Sequence, residues 1–573
     1  MIKQFFIAIT LAIIPFTSAS AQWSQQPIEP FPQGSDYIDK EMRVAPDGST
    51  WYLWEEYVMK NPKKSSLIIC NYHIQRYDAD GKPTFGNDGL IIPNIPNLSY
   101  TLVGRRLFTD SDNNALIIVA DTRHAENNSS TLSNTCYKIS PTGEMLWGND
   151  GITIGEKNAS VTIACLDVAQ CKSTGDYVFA WFEQHGQNGN VAMQKYSKSE
   201  GSPLWNEGST VLLNDGAYAQ YPYLIPSDND SMILVYAAEQ AKNLTAKKIG
   251  SDGKNLWAQD ICFYNGGWNN TPLHTVLDVR SDGSDGALIA WNDFHANGYN
   301  MIGYACHIKP DGSMPFGDSG VVALSEEGFN AFNVKLMPHG NNGETLVVYR
   351  KTNDSQNYQG LMLQKLDKDG NLLWDIEETV GEPIDRLALS APYILPDEDD
   401  LFAIAYKKDL GTSQKIYISR FKTTDGSLAA SGDKASAILA ESALNLSIDN
   451  IESYVEGKFH VFQFSKTIEG VSRESQNLQR LNFDLTYFGN PASVKNISAN
   501  NSPNFYSDGN TIHVPAEIAC NDVALYDVAG NKIANIPILN HKATLPQDLT
   551  AGIYFAAIQT SAGNTTIKII HNK

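Results

Sequence analysis

Short apolar segments that end on an aromatic residue recur along most of the chain. Each follows a polar turn rich in Asp, Gly and Asn, and residues 177–181, YVFAW, are typical of them. Apolar, β-branched and aromatic residues between such turns indicate β-strands, and no segment keeps a 3.6-residue apolar period over a helical length. The eight copies are residues 51–54, 115–119, 177–181, 232–236, 288–291, 346–349, 402–406 and 459–464.

A second phrase alternates with the first. It consists of an apolar strand, a turn that ends in Gly and an aromatic residue a few positions later. Successive turn glycines are 52 to 62 residues apart, so one period holds about four strands joined by tight turns. Asp-Gly and Asn-Gly turns tolerate positive φ and close hairpins. The turn glycines are Gly81, Gly143, Gly201, Gly253, Gly312, Gly370 and Gly426.

Four-stranded units repeated about eight times predict an all-β fold built on a β-propeller of about eight blades. Seven blades are an alternative because the last copy, around Asp484, lacks the turn glycine. A linear β-solenoid is another alternative, although it needs capping units. The phrase at residues 76–89, RYDADGKPTFGNDG, resembles the delta-60 class of bacterial propeller-like repeats, and this resemblance covers roughly residues 35–489. It implies an architecture without selecting a function.

The pattern changes after Gly489. Residues 490–503 are rich in Asn, Ser and Pro and are predicted to be a linker. Short strands with regular turns follow over residues 504–573 and predict a small Ig-like β-sandwich. The order of their motifs resembles the type A sorting domain of type IX secretion substrates. The matching residues are Tyr526, Asp527, Gly530, Gly552, Tyr554, Gly563 and Lys568.

This resemblance implies passage through the Sec system and then export across the outer membrane, with the tail as the address for the type IX secretion machinery. In that family the tail is often cleaved and the cargo attached to surface lipopolysaccharide. The resemblance therefore implies a cell-surface or extracellular protein. An ordinary adhesive Ig-like module is the alternative interpretation of the same strands.

The first 21 residues are predicted to be a secretory signal peptide. Lys3 precedes an apolar run over residues 5–16, and Ala19-Ser20-Ala21 is an A-x-A cleavage motif. We expect cleavage between Ala21 and Gln22, which leaves a repeat domain at residues 22–489. The apolar run is too short to span a bilayer, which takes about 20 residues. No other stretch is long and apolar enough, so we expect no transmembrane segment.

Charge and cysteine content narrow the function classes. The chain has 573 residues and a formal net charge of -21. An acidic chain repels phosphate backbones, so we expect no nucleic-acid partner. Its seven cysteines are scattered without a C-x-x-C motif. We therefore expect mostly small buried thiols instead of a disulfide framework.

No catalytic constellation stands out in the sequence. There is no G-x-S-x-G, H-E-x-x-H or Walker motif, and the histidines show no ligand spacing. We therefore expect no metal centre or cofactor. Pairs of turn aspartates such as Asp78 and Asp80 could ligate calcium, but Asp in turns usually bonds its own backbone. The repeated aromatics could stack on sugars, but packing between blades is the more common role of such residues.

Charged residues follow the first-phrase strand at equivalent places in successive copies. If these strand ends open on one face, the side chains form a ring around the mouth of the channel. Residue types that vary at equivalent positions suit a ligand site, whereas a solvated rim is the alternative. The ring residues are Glu55, Asp121, Arg123, Glu183, Glu239, Asp293, Arg350 and Lys407.

Three functions follow from these patterns. The first is an exported, non-catalytic propeller that binds a glycan or a protein partner. The second is a secreted polysaccharide hydrolase or lyase that uses ring carboxylates as acid and base. The third is an accessory protein of the cell envelope or the export apparatus.

Overall fold

A computed structural model divides the chain into two compact units, Met1–Phe488 and Gly489–Lys573. The description covers residues 23–30, 37–60, 68–93, 106–121, 123–124, 133–155, 162–185, 188–205, 211–213, 220–238, 242–265, 277–293, 301–317, 319–324, 328–340, 343–374, 380–398, 400–429, 435–470, 474–488, 506–508, 510–514, 522–527, 532–546, 549–550, 552–560 and 563–571. The signal-peptide prediction at Ala21 and Gln22 lies outside these residues.

Eight antiparallel sheets follow one another along the first unit, and each is one blade. Blades 1 to 4 contain β1 Tyr37–Val44, β2 Thr50–Lys60, β3 Ile68–Tyr77 and β4 Leu90–Ile91; β5 Leu107–Thr109, β6 Ala115–Asp121, β7 Ser133–Ile139 and β8 Ile152–Ile154; β9 Thr162–Gln170, β10 Tyr177–His185, β11 Asn188–Tyr196 and β12 Val211–Leu213; and β13 Gln220–Pro226, β14 Met232–Ala238, β15 Asn243–Ile249 and β16 Ile261–Asn265.

The remaining four blades continue the same order. They contain β17 Asp278–Ser281, β18 Ala287–Asp293, β19 Ile302–Ile308 and β20 Val321–Leu324; β21 Phe329–His339, β22 Glu344–Asn353, β23 Gln359–Leu366 and β24 Val380–Asp385; β25 Ala388–Leu389, β26 Tyr393–Pro396, β27 Leu401–Asp409, β28 Gln414–Lys422 and β29 Ser436–Ser442; and β30 Leu446–Tyr454, β31 Phe459–Thr467 and β32 Glu474–Asn482. In each blade we name the successive strands A, B, C and D, with β25 and β26 together forming strand A of blade 7.

The blades close into a ring. A separate apolar cluster joins each blade to the next, and the last one joins blade 8 to blade 1 through residues such as Val461 and Tyr52. The A strands of most successive blades contact one another, which places them innermost. Eight blades with eight interfaces in the described part of the chain confirm the predicted propeller. A linear solenoid would have two open ends and no such last interface.

The N-terminal segment 23–30 closes the ring. Ile28 exchanges two backbone hydrogen bonds of 2.8 Å with Leu478, at the outer edge of β32. Trp23 is buried and packs on Gly81, whose φ is +84° and where a Cβ atom would lie 2.5 Å from the Trp23 nitrogen. Blade 8 is therefore completed by residues from the opposite end of the domain, which joins the two ends of the ring non-covalently.

The turn and the aromatic residue of the second sequence phrase lie in the connection between strands C and D, and their contacts recur in different blades. The Gln194 side chain accepts the Trp205 N–H at 3.1 Å and donates to its carbonyl at 3.2 Å. The Trp205 indole then donates to the Ser251 carbonyl of the next blade at 2.8 Å. Trp374 repeats this bond to Thr424 at 3.0 Å. The repeated aromatics therefore pack within and between blades.

The C-terminal unit is a small two-sheet sandwich. One sheet contains β33 Tyr506–Asp508, β34 Thr511–His513 and β37 Lys542–Thr544; the other contains β35 Asp522–Tyr526, β36 Lys532–Pro537, β38 Gly552–Thr560 and β39 Gly563–His571. Buried residues of both sheets, including Ile512 and Val523, share one apolar core. In the part of the chain that the structure describes, no helix has the length and apolar character needed to cross a membrane.

Candidate functional site

The two faces of the propeller differ in the connections that they carry. On one face, here the turn face, A–B connections contain four to six residues and C–D connections contain 11 to 14. On the other, the loop face, B–C connections range from two to 11 residues and connections between blades from two to 15. Loops of variable length on a rigid scaffold are where binding residues concentrate. The ring residues were predicted to follow the B strands on this face. Asp121 and Asp293 end their B strands and Arg123 follows β6, but the structure extends other B strands further, so that four ring residues lie inside them, two to five residues before the strand end. These four are Glu55, Glu183, Arg350 and Lys407.

The four ring carboxylates that the structure describes are buried. Glu55, Asp121, Glu183 and Asp293 each expose at most 1% of their surface. Glu239 lies outside the described residues. The carboxylates of blades 1, 2, 3 and 5 thus point into the blades and not into solvent, and their contacts explain why a buried charge is tolerated there.

Glu55 ties blade 1 to blade 2. It forms an ion pair with Arg106, which immediately precedes β5 in the next blade and is also buried. Arg106 reaches Asp39 at 3.1 Å as well. Burial alone would lower the pKa of Arg106, but the carboxylates of Glu55, Asp39 and Glu41 raise it overall. The guanidinium therefore stays charged and neutralises the buried Glu55.

Asp121 and Arg123 form a pair within blade 2. The Arg123 Nε donates to both carboxylate oxygens of Asp121 at 2.9 and 3.0 Å, and its Nη2 donates to the Tyr137 hydroxyl at 2.8 Å. Burial lowers the pKa of Arg123, but the hydrogen bonds to Asp121 and Tyr137 raise it overall. This bidentate geometry fixes both side chains.

The carboxylates of blades 3 and 5 also face blade interiors. Glu183 accepts the indole N–H of Trp181 at 2.7 Å. Asp293 is fully buried near Tyr304, whose pKa is raised by burial and by the negative charge of Asp293. Neither carboxylate is presented on an open surface.

The two remaining basic ring residues, Arg350 and Lys407, also contact neighbouring parts of the propeller. Arg350 of blade 6 donates to the Leu389 carbonyl in strand A of blade 7 at 2.8 Å. Burial lowers the pKa of Arg350. Lys407 donates its backbone N–H to Ser390 at 2.9 Å and its ammonium to Gln414 at 3.3 Å. The structure therefore does not gather the ring into one pocket, and a ligand-binding role for these residues stays a prediction.

The sequence analysis missed irregular backbone at the loop-face ends of the inner strands. Tyr221 and Asn333 have positive φ of 56° and 54° next to breaks in strand register. Asp449 is the extra residue of a bulge in β30. Bulges and such strained positions are enriched beside functional sites. No Asp-Gly or Asn-Gly pair adjoins these three positions in the sequence.

The turn aspartates have ordinary structural partners. Asp78 Oδ1 accepts the backbone N–H groups of Asp80 and Lys82 at 3.0 and 2.9 Å, and Asp110 Oδ1 does the same for Asp112 and Asn114 at 2.9 and 2.8 Å. No cluster of three or more His, Cys, Asp or Glu side chains that could hold a metal occurs among the residues described. These aspartates stabilise turns.

The predicted sorting residues lie on the sheet of β35, β36, β38 and β39. Tyr526 ends β35 and Asp527 follows it, while Gly552 and Gly563 begin β38 and β39. Tyr554 is buried and donates its hydroxyl to the Thr550 carbonyl at 2.7 Å. Lys568 in β39 pairs with Phe555 in β38. Gly530 lies outside the described residues.

Comparison with known proteins identifies the tail. Residues 503–572 match the family model of the secretion system C-terminal sorting domain. The chain is a type IX secretion substrate, as its motifs predicted, and the tail marks it for export to the cell surface or the extracellular space. No curated protein sequence matches the chain.

Several solved structures resemble the chain weakly. The Dos1 propeller is 11% identical, with 80% of this chain and 95% of that chain covered and a TM-score of 0.40. Polysaccharide lyase Uly1 is 10% identical, with 69% and 93% covered and a TM-score of 0.38. The α-L-arabinofuranosidase Arb93A from Fusarium graminearum is 11% identical, with 81% and 97% covered and a TM-score of 0.28. None of these similarities is close enough to transfer an activity.

Proposed function

We propose that this type IX substrate acts outside the outer membrane as a binding protein, and that its propeller recognises a glycan or a protein partner through the loop face without chemistry. The contrast between the two faces carries this proposal. Turn-face connections keep nearly constant lengths, whereas loop-face connections vary from two to 15 residues around the ring. A face built from unequal loops on a rigid ring is suited to recognition.

The contacts of the ring carboxylates favour binding over hydrolysis. An acid–base pair needs two carboxyl groups that flank a bond of the substrate. Glu55 and Asp121 are instead each held by an arginine, and Glu183 by an indole N–H, at no more than 1% exposure. Removing such a buried partner costs stability, which is the behaviour of a structural tie.

A glycan array with the mature chain, residues 22–573, tests the proposal. The informative variant replaces residues 294–300, in the B–C connection of blade 5, with Asn-Gly, which closes short hairpins. For each glycan that the unaltered mature chain binds on the array, we expect the variant to bind at least tenfold more weakly. Lys254→Ala is the control, because the Lys254 side chain is 80% exposed on the turn face, where it pairs with the neighbouring Asp252.

Equivalent shortening of the connection at 61–67 in blade 1 extends the test around the ring. Loss of binding in at least one loop variant, with an unchanged melting temperature, supports recognition by the loop face. Binding that survives both shortened loops and falls with a turn-face substitution would contradict it. If the array retains no glycan, the same variants are tested against cell-surface proteins.

A further inference from the structure

A contact between an acidic and a basic side chain recurs on the turn face, and blade 5 differs from the other blades in its basic residue. In seven blades an acidic residue in or beside the A–B turn pairs with a basic residue near the end of strand C. Blade 5 alone uses a histidine, with His307 Nε2 lying 2.8 Å from Asp282 Oδ2. The pairs are Asp47–Arg76, Asp110–Lys138, Asp176–Lys195, Asp228–Lys248, Asp282–His307, Glu344–Lys365 and Asp397–Arg420.

Long basic side chains at this position also bridge to the next blade. Lys138 donates to the Lys198 carbonyl at 2.8 Å, and Lys248 donates to the Pro310 carbonyl at 2.9 Å. Each acceptor is the second residue of the next C–D turn, and Arg480 makes the same bond to Ala79 in blade 1 at 2.6 Å. An imidazole is shorter than a lysine or arginine side chain, so His307 ends at Asp282.

A cleft of about 280 Å³ lies where that bridge would run, between blades 5 and 6. The residues that line it include Asp282, Ser284, His307, Lys309, Glu344 and Lys368. Lys368 is the second residue of the blade 6 turn and therefore holds the place of Lys198 and Pro310. The volume is near the lower end of ligand pockets, roughly 300–1,000 Å³, so the cleft suits a small ligand.

The acidic residues of the cleft already have partners. Asp282 Oδ1 accepts the N–H groups of Ser284 and Gly286 at 2.6 and 2.8 Å while Oδ2 faces His307. Glu344 forms an ion pair with Lys365 at 2.5 Å. His307 is only 5% exposed, and its Nδ1 atom is buried without a hydrogen-bond partner. The wall of the cleft therefore contains a polar nitrogen that has no hydrogen-bond partner among the described residues.

The basic residues of the cleft are more available than its acids. Lys309 is exposed, and Lys368 forms an ion pair with the neighbouring Asp369 in which the two side chains are 66% and 54% exposed. Such solvent-exposed pairs contribute little and exchange partners readily. Two lysines thus stand beside a cleft in which backbone N–H groups hold Asp282 and Lys365 holds Glu344, in a chain of net charge -21.

We propose that the cleft between blades 5 and 6 binds a small anionic ligand, of the size of one acidic sugar residue. The ammonium groups of Lys309 and Lys368 hold the anionic group through charge-assisted hydrogen bonds. Ser284 and the wall around His307 face the remainder of the ligand. This site lies on the turn face and is separate from the loop face.

Isothermal titration of the mature chain with glucuronate, glucose and inorganic sulfate tests the proposal. We expect saturable binding of glucuronate and at least tenfold weaker binding of glucose. Lys309→Ala and Lys368→Ala should each weaken glucuronate binding about tenfold, which corresponds to one charge-assisted hydrogen bond. Lys254→Ala, on the blade 4 turn, should leave it unchanged.

His307→Lys restores the residue type of the other blades and is the decisive variant. Its side chain should bridge Asp282 to the next turn, fill the cleft and abolish binding. Tighter glucuronate than sulfate binding identifies an acidic sugar, and equal binding identifies a free inorganic anion; both support an anion site. No binding of either anion, equal affinity for glucose, or wild-type affinity in Lys309→Ala and His307→Lys would overturn it.

Discussion

Removal of the Arg106 guanidinium tests whether the ring carboxylates stabilise the contacts between blades. Arg106→Leu leaves the Glu55 carboxylate at 1% exposure without its cation. Breaking a buried ion pair from one side costs about 3–5 kcal/mol. Asp39, the other partner of Arg106, is 40% exposed and can be solvated in its absence. We therefore assign most of the cost to Glu55 and expect the variant to lose about 3–5 kcal/mol of unfolding free energy.

The double variant Glu55→Leu/Arg106→Leu separates a buried charge from lost packing. Replacing both partners of a buried pair with apolar residues is often close to neutral. We expect the double variant to recover at least about 2 kcal/mol relative to Arg106→Leu, a coupling within the range for residues in contact. Urea denaturation followed by tryptophan fluorescence measures both changes. An Arg106→Leu cost within about 0.5 kcal/mol, the level of an ordinary surface substitution, would refute the reasoning.

Three further predictions concern other parts of the chain. Trp23→Ala should destabilise the propeller by about 3–5 kcal/mol, as expected for a buried tryptophan, and should open the blade 8 to blade 1 interface in hydrogen exchange. Burial lowers the pKa of His460 to about 3, so the unfolded state binds one proton more below the ordinary value of 6.5. Propeller stability should therefore fall by up to about 1.4 kcal/mol per pH unit as the pH drops from 6.5 towards 4, and His460→Gln should remove that slope. Tyr554→Phe should cost the C-terminal sandwich about 1 kcal/mol through the lost bond to Thr550.

Each of these predictions has a result that contradicts it. For Trp23→Ala, Leu204→Ala is the control, because Leu204 is an exposed apolar residue with 46% of its surface accessible. Equal melting temperatures for the two variants would argue against closure by the N-terminal segment. If propeller stability falls just as steeply with decreasing pH in His460→Gln, other titratable groups cause the pH dependence. If the C-terminal unit of Tyr554→Phe melts at the same temperature as that of the wild type, the Tyr554 hydroxyl contributes nothing to its stability.

Much of the propeller is predictable because its local signals repeat. The turn glycines and the aromatics near Trp205 and Trp374 recur at one register, and in the structure they occupy the same C–D connection. The closure of blade 8 is different. Ile28 pairs with Leu478 through a short segment whose sequence has no repeat of its own. The two residues are far apart in the sequence, so no local pattern indicates that they pair.

The candidate site was less predictable for a related reason. The sequence places Glu55 and Asp121 at equivalent strand ends. In the structure Asp121 ends β6, whereas Glu55 lies inside β2, which continues to Lys60. Whether a strand-end carboxylate is open or buried depends on the neighbouring blade. The partner of Glu55 is Arg106, 51 positions away in blade 2. The local sequence pattern predicts where such a side chain lies along its strand, but it does not predict which cation of the next blade pairs with it.

Assay of turnover on every polysaccharide that the mature chain retains tests the central claim most directly. Reducing ends report hydrolysis, and absorbance of unsaturated products reports lyase chemistry. The account predicts stable binding with no product above the protein-free background. Product formation that is lost in Glu183→Gln or Asp293→Asn, with folding intact, would contradict it and make the ring carboxylates catalytic.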